Sequence, residues 1–296
     1  MRNFIIFFSG KEGTSPLVRL LNNFDQISIL HQVNNRGWEP FDAHNCGPMP
    51  LRSLKQCLDI VFNNESIDIK QVNNIYTKTS TRPLEEIRKD GVAGFKMRFA
   101  SPSNPLHIAA FTSWNKLSKR LFQQYNARSF KSMMIELLKK NNTTVFFAVR
   151  QDLLRWALSK YHGDGTGKPG HLQFKLASGE ISKEEIGKFH VDCRRLGKII
   201  LRCEKVDTQK HQLMEEFKLA GIQVYPLCYE DFLKDKHKYF EQIFKFLELE
   251  ISKKKIDVAL EHGAYFKKVH SDDISDFVVN HQEVLKIFNN RFISWH

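Results

Sequence analysis

Apolar residues in this chain form short runs typical of buried strands, separated by stretches in which they recur at helical spacing. The first run, NFIIFF at 3–8, is followed at once by SGKEGTS. Leu17, Leu20, Leu21 and Phe24 then recur at helical spacing, and Pro16 is tolerated in the first turn of such a helix. The N-terminus is therefore predicted to fold as a strand, a glycine-containing loop and a helix.

The same pattern continues along the chain. It predicts further strands at 27–31, 91–99, 143–149 and 222–229, and helices at 51–62, 127–140, 151–161 and about 182–220. GDGTGKPG at 163–170 predicts a mobile loop, because glycine and proline interrupt regular structure. Strands that alternate with helices favour an α/β fold with a mainly parallel sheet flanked by helices.

The length of 296 residues suits one large α/β domain, so we treat 1–296 as a single domain with a mostly helical C-terminal part at 230–296. The longest apolar runs, FIIFF and VFFAV, are much shorter than the roughly 20 residues of a membrane-spanning helix. They are also too short for the apolar region of a secretory signal. We therefore expect a cytoplasmic protein with no integral membrane segment.

The charge and the cysteines narrow the range of partners. Lys and Arg number 45 against 33 Asp and Glu, a formal net charge of +12 that indicates an anionic partner. These cations are dispersed and no basic-aromatic motif accompanies them, which disfavours a nucleic-acid binder. The five cysteines are scattered without a CxxC pair, so we interpret them as free thiols in the core and expect no metal site.

The loop after the first strand has the composition of an anion site. Gly10 and Gly13 permit the turn from strand to helix, and the first N–H groups of the helix point into the loop. Thr14 and Ser15 add hydroxyl donors, and Lys11 adds a mobile positive charge. The alternative is an ordinary turn with a hydroxyl N-cap. The nucleotide-kinase motif GxxxxGK[ST] does not fit, because Lys11 precedes the Gly-Thr-Ser corner.

A lysine two residues before a Gly-Thr-Ser corner resembles the 5′-phosphosulfate loop of the sulfotransferase family, whose cosubstrate is 3′-phosphoadenosine 5′-phosphosulfate. A second stretch, VFFAVRQDLLRWALSKY at 145–161, resembles the family's 3′-phosphate site. There an arginine ends a strand and a serine lies on the next helix, the places that Arg150 and Ser159 occupy. The match is closest to the bacterial branch that resembles trehalose and lipopolysaccharide sulfotransferases.

Two alternatives remain open at this second stretch. Arg155 lies one turn before Ser159 on the same helix face and could take the place of Arg150. Otherwise Arg150 simply ends the strand and Ser159 packs. A planar guanidinium with a neighbouring hydroxyl is nevertheless a suitable receptor for a phosphate dianion.

The resemblance extends to two segments nearer the C-terminus. YEDF at 229–232 and FKKVHSDDISDFVVNHQEV at 266–284 are similar to family segments. The resemblance implies structural roles for Glu230, Asn280 and Glu283. Lys267 and Lys268 would either reach the 3′-phosphate or form a solvated basic turn. For the whole chain, the resemblance implies a P-loop-like sulfotransferase fold and an activity that requires the cosubstrate but no metal.

The acceptor side is less well specified. The segment 32–142 is interpreted as acceptor-side insertions, and a loose likeness at 94–99 puts Lys96 and Arg98 near the acceptor. Lys11 is our candidate for stabilising the charge that grows on the leaving group. Residues 163–170 are interpreted as a lid over the acceptor.

Relatives use a glutamate or a histidine as the base that removes the acceptor proton. We prefer Glu39, flanked by Trp38 and Pro40 in what we expect to be a partly apolar cleft, to His31, with His107 third. A surface carboxylate is the ordinary alternative for Glu39.

These expectations favour a sulfotransferase that modifies a hydroxyl of a carbohydrate or glycolipid. A kinase-like phosphate-loop transferase is one alternative, but it would need acidic metal ligands where the chain offers only Asp152. A non-catalytic nucleotide-binding relative is another. The oligomeric state is left open.

Overall fold

The fold centres on a five-stranded, fully parallel sheet with strand order β2-β5-β1-β6-β7. The computed structural model of the chain describes residues 3–33, 39–41, 49, 51–63, 67–78, 82–86, 91–98, 130–165, 176, 179–262 and 273–288. The sheet strands are β1 (Asn3–Phe8), β2 (Ile27–Ile29), β5 (Val92–Arg98), β6 (Thr143–Val149) and β7 (Val224–Cys228). A separate antiparallel pair consists of β3 (His31–Gln32) and β4 (Leu84–Glu85).

Helices connect these strands, as the α/β prediction requires. The described helices include α1 (Thr14–Leu21), α2 (Leu51–Phe62), α3 (Ile69–Tyr76), α4 (residues 130–140), α5 (Leu153–Gly165), α6 (Lys183–Ile186), α7 (Cys193–Leu219), α8 (Tyr229–Lys234), α9 (Lys236–Leu247), α10 (Lys253–His262) and α11 (His281–Phe288). None of the described helices has the length and apolarity needed to cross a bilayer. The strands predicted at 3–8 and 143–149 and the helix predicted at 51–62 are confirmed with their bounds.

The single helix predicted from about 182 to 220 is wrong, because local signals end and restart it. Ser182 and Glu185 form a capping box at the start of α6, which ends at Gly187, where φ is 65°. Asp192 then caps α7, and its carboxylate accepts hydrogen bonds from the N–H groups of Arg194 and Arg195. The strand predicted at 27–31 is likewise divided between β2 and β3.

Alternate side chains of the strands point to opposite sides of the sheet, and helices pack against both sides, so both faces are buried. From β1, Phe4, Ile6 and Phe8 share a core with α1, α9 and α10. Ile5 and Phe7 share another with α2, α3, α4 and the C-terminal part of α7. A third cluster joins α5, α7 and α11 beside the sheet.

The strands bring several loops to one edge of the sheet. Because they run parallel, their carboxyl ends lie together, and Phe8 pairs with Arg98 while Val149 pairs with Cys228. The same edge therefore holds the loop after β1, Arg150 and the start of α8. Ligands bind at this edge in open α/β folds.

The described cysteines are free thiols, as predicted, and Cys57, Cys203 and Cys228 are buried while Cys193 is half-buried. Cys46 lies outside the described residues. Desolvation raises the pKa of Cys57, Cys203 and Cys228 from 9.0 to about 12. The folded protein thus retains thiol protons that the unfolded chain loses above about pH 9.

We therefore expect the free energy of unfolding to fall as the pH rises from about 9 to 12, by about 1.4 kcal/mol per pH unit for each buried thiol. Urea unfolding at a series of pH values measures this slope. Cys203→Ala, with one titrating thiol fewer, should have a shallower slope. An identical slope in that variant would contradict the assignment.

Candidate anion-binding site

The loop after β1 has a backbone conformation suited to binding an anion. Gly10, Lys11 and Gly13 all lie in the left-handed region, with φ of 86°, 62° and 74°. Gly13 is the N-cap of α1 and no side chain caps the helix, so the hydroxyl-capped turn considered as an alternative is not what forms. Left-handed residues next to an uncapped helix N-terminus create a concavity of N–H groups.

Gly13 is also required by its close contact with Tyr229. A methyl carbon at position 13 would lie 2.4 Å from Tyr229 Cδ2, far inside van der Waals contact. At Gly10 the nearest atom to such a carbon is Arg98 Nη1, at an ordinary 3.6 Å. The two glycines therefore have similar backbones but different surroundings.

Gly13→Ala is expected to lower the free energy of unfolding by about 2–5 kcal/mol, because left-handed strain and overpacking add. Gly10→Ala is the matched control and should cost only the strain, about 1–2 kcal/mol. Chemical denaturation of both variants, and of Gly13→Ala in a Tyr229→Ala background, separates the two contributions. Equal losses for Gly13→Ala and Gly10→Ala would contradict the role of the ring.

A buried ion pair supports the loop from within the protein. Glu12 Oε2 accepts a hydrogen bond from the N–H of Ser9 at 2.6 Å, and Glu12 Oε1 lies 2.6 Å from Lys210 Nζ on α7. Lys210 Nζ also donates to the Ala148 carbonyl at 2.6 Å. Desolvation lowers the pKa of Lys210, and the neighbouring Glu12 opposes that effect. No local sequence pattern indicates this pair, because its two members lie 198 positions apart.

Helix α5 holds the same loop through two further side chains. Trp156 Nε1 donates to the Gly10 carbonyl at 3.0 Å, and Lys160 Nζ donates to the Ser9 carbonyl at 2.9 Å. Neither residue was among the predicted site residues, although their spacing of four puts them on one helix face. These two hydrogen bonds hold the carbonyls of Ser9 and Gly10 against α5.

Arg150 lies against this loop with few partners of its own. Its Nη1 donates to the Lys11 carbonyl at 3.1 Å, its Cζ lies 5.0 Å from the centre of the Tyr229 ring, and its buried Nε has no hydrogen-bond partner. Among the described residues no carboxylate lies within ion-pair distance of it. Desolvation lowers the pKa of Arg150, partly offset by Tyr229 and by nearby carboxylates. The guanidinium therefore retains donors for a ligand.

The alternative arginine is differently placed. Arg155 Nε lies 3.0 Å from Asp152 Oδ2, so its charge is already paired. Ser159 lies on α5 and is partly exposed. Glu230 accepts hydrogen bonds from the N–H groups of Gln151 and Asp152, at 3.0 and 3.1 Å, and so fixes the backbone after Arg150. That contact is structural, as predicted for Glu230.

The C-terminal segment has the predicted structural contacts as well. Asn280 exchanges hydrogen bonds with the backbone of Val191 and donates to Glu283 Oε2 at 2.8 Å. Lys267 and Lys268, together with His107 and residues 166–170 of the predicted lid, lie outside the described residues. The loop predicted at 163–170 is wrong for its first three residues, which continue helix α5 to Gly165.

A cluster of charges, of which Lys96 and Glu39 are buried, connects the loop to Glu39. Lys96 Nζ lies 3.0 Å from Ser15 Oγ and 3.3 Å from Glu39 Oε1. Arg98 Nη2 lies 3.2 Å from Glu39 Oε2. Lys96 is 1% exposed and Glu39 is 9% exposed. Glu39 thus has two cationic partners, and the Phe8 ring lies beneath Lys96 and Arg98.

His31, the second candidate base, belongs to the small antiparallel pair. Its Nε2 lies 2.6 Å from Glu85 Oε2 on β4, and its Nδ1 lies 3.3 Å from the Ile29 carbonyl. Ser15 of the loop contacts Lys96, and Lys96 in turn contacts Glu39. The structure therefore connects Glu39 to the anion-binding loop through Lys96. His31 is part of β3 and is paired with Glu85 on β4.

No group of His, Cys, Asp or Glu within the described part of the chain is placed to hold a metal ion. No protein-family model matches the sequence, and neither does any curated protein.

Solved structures of bacterial sulfotransferases are among those with some likeness to the chain. The enzyme from Alicyclobacillus acidocaldarius has 14% identity and a TM-score of 0.40, with 89% of this chain and 92% of that one covered. The enzyme from Mycobacterium avium has 12% identity and a TM-score of 0.37, covering 97% and 75%. The enzyme from Mycobacterium tuberculosis has 13% identity and a TM-score of 0.34, covering 97% and 76%.

Proposed function

We propose that this chain is a sulfotransferase that takes the sulfuryl group from 3′-phosphoadenosine 5′-phosphosulfate. The observation that carries the proposal is the guanidinium of Arg150, which has a buried, unpartnered Nε and lies beside a left-handed loop at an uncapped helix N-terminus. Two adjoining receptors for anions suit a ligand that carries anionic groups at two separate positions.

The two receptors differ in chemistry, and so do the two ends of the donor. The loop N–H groups of Gly10–Ser15, with the hydroxyls of Thr14 and Ser15 and the exposed Lys11, suit the 5′-phosphosulfate. Arg150 suits the 3′-phosphate because a guanidinium matches phosphate oxygens with two parallel donors. Ser159 is assigned to the same phosphate by the family resemblance, with Lys267 and Lys268 as further ligands.

The reaction replaces the sulfur–oxygen bond of the donor with one to the acceptor oxygen, and the acceptor hydroxyl loses its proton. We assign the proton to the carboxylate of Glu39, with His31 as the alternative base. Lys11 compensates the charge left on the donor's phosphate oxygen. Lys96 and Arg98 hold both oxygens of Glu39, so the base is fixed before the acceptor arrives.

The acceptor is assigned to the carbohydrates or glycolipids, by resemblance to the bacterial branch. Arg98 supports a polar acceptor, because its partly exposed side chain offers donors at the Glu39 carboxylate. A sugar hydroxyl next to that carboxylate would meet both a proton acceptor and a hydrogen-bond donor.

Calorimetric titration with 3′-phosphoadenosine 5′-phosphate, beside ADP and ATP, tests the donor site. We expect the bisphosphate to bind more tightly than ADP by about tenfold or more, since only the bisphosphate engages Arg150. Preference for ATP would instead support a kinase-like transferase. Failure of the bisphosphate to bind would contradict the proposal. Transfer of radiolabelled sulfate to a panel of glycans then separates an enzyme from a non-catalytic relative.

A further inference from the structure

We infer that Lys210 is a positioning residue of the anion site: it neutralises Glu12 inside the anion-binding loop and connects that loop to β6, the strand that directly precedes Arg150. This inference rests on the proposed function, because it concerns how the same site becomes able to accept an anion.

Glu12 makes the loop unusual as a receptor for anions. It lies between Lys11 and Gly13 and is 3% exposed, so its carboxylate is withdrawn from solvent. The carboxylate closes the turn by accepting the N–H of Ser9 at 2.6 Å. An uncompensated negative charge at this position would repel an incoming phosphate or sulfate, and screening by water would be weak there.

Lys210 supplies the compensating charge from a distant part of the chain. It is fully buried, and its Nζ lies 2.6 Å from Glu12 Oε1. The pair is neutral as a unit, so it does not cancel the positive field that the end of α1, the loop N–H groups, Lys11 and Arg150 present to a ligand. The energetic consequence of removing one partner is large, because the other remains as a buried unpaired charge.

The same ammonium also fixes the geometry between the two halves of the donor site. Its second hydrogen bond is to the carbonyl of Ala148, which lies on β6 two residues before Arg150. The Lys210 ammonium therefore contacts both the loop assigned to the 5′-phosphosulfate and the strand that precedes Arg150, the residue assigned to the 3′-phosphate. Trp156, whose ring centre lies 5.7 Å from Lys210 Nζ, connects α5 to the same point through its bond to Gly10.

The test compares Lys210→Met with the double variant Lys210→Met/Glu12→Gln. In the single variant the loop contains a buried anion, and we expect its affinity for anions to fall by about tenfold or more. In the double variant the substituted amide can still accept the Ser9 N–H without a charge, so most of the affinity should return. Lys218→Met is the control, because Lys218 lies on the same helix and pairs with Glu215 at the surface.

Two ligands keep this inference separate from the proposed function. Inorganic phosphate, followed by tryptophan fluorescence in an Arg150→Ala background, probes the loop without the second anion receptor, and 3′-phosphoadenosine 5′-phosphate, followed by calorimetry with Arg150 present, probes the whole donor site. Loss of phosphate binding in the single variant and its return in the double variant supports the inference even if the bisphosphate shows no preference. A folded single variant with unchanged affinity for phosphate overturns it and reduces Lys210 to a structural role. A double variant that folds but stays as weak as the single one also overturns it, and so does a wild-type protein that binds neither ligand.

Discussion

Arg150→Ala is expected to weaken binding of 3′-phosphoadenosine 5′-phosphate by about 2–5 kcal/mol, roughly 30-fold to several thousand-fold. The reason is that the guanidinium has no carboxylate within ion-pair distance in the described part of the chain, so the ligand's phosphate is its natural counter-charge. Its own bond to the Lys11 carbonyl is a single contact at 3.1 Å. Calorimetric titration of the variant beside the wild-type protein measures the loss.

The stability of the same variant provides an independent check. A desolvated charge with an unpartnered Nε is costly in the absence of ligand, so Arg150→Ala should change the free energy of unfolding little. Arg155→Ala is the matched control, since Arg155 is already paired with Asp152. A larger loss of affinity in Arg155→Ala than in Arg150→Ala would transfer the phosphate-binding role to Arg155.

The parts of the site that could be predicted from sequence are those encoded by neighbouring residues. The apolar runs at 3–8 and 143–149 predicted the strands, and the glycines at 10 and 13 predicted the turn between β1 and α1. Arg150 could be located because it directly follows one of these runs. Local patterns suffice here because strand, loop and helix signals occur within one short segment.

The remaining contacts depend on residues that are far apart in sequence. Lys210 lies 198 positions from Glu12, and its buried face on α7 resembles that of any long amphipathic helix. Lys96 is inside an apolar strand, where only the fold reveals that Ser15 and Glu39 are its partners. The break between α6 and α7 was missed for another reason, because helical periodicity continues across Gly187 while the caps end the helix.

Glu39→Gln is expected to lower the turnover number for sulfuryl transfer by about 10²–10⁴-fold, because the amide cannot accept the acceptor's proton. The affinity for 3′-phosphoadenosine 5′-phosphate should stay close to that of the wild-type protein, since glutamine retains the shape of the side chain between Lys96 and Arg98. Steady-state transfer rates and calorimetry on the same preparation measure the two effects separately.

The double variant Glu39→Gln/Lys96→Met distinguishes a purely structural Glu39, whose only task would be to neutralise the buried Lys96. Glu39→Gln removes that counter-charge and lowers stability whichever role Glu39 has, but only for a structural Glu39 would the double variant recover turnover as well as stability. If Glu39 is the base, the double variant can recover stability but stays inactive, whatever Lys96→Met alone retains. His31→Gln completes the comparison: a loss of turnover there, with Glu39→Gln still active, would assign the proton to His31, whose ring now contacts Glu85.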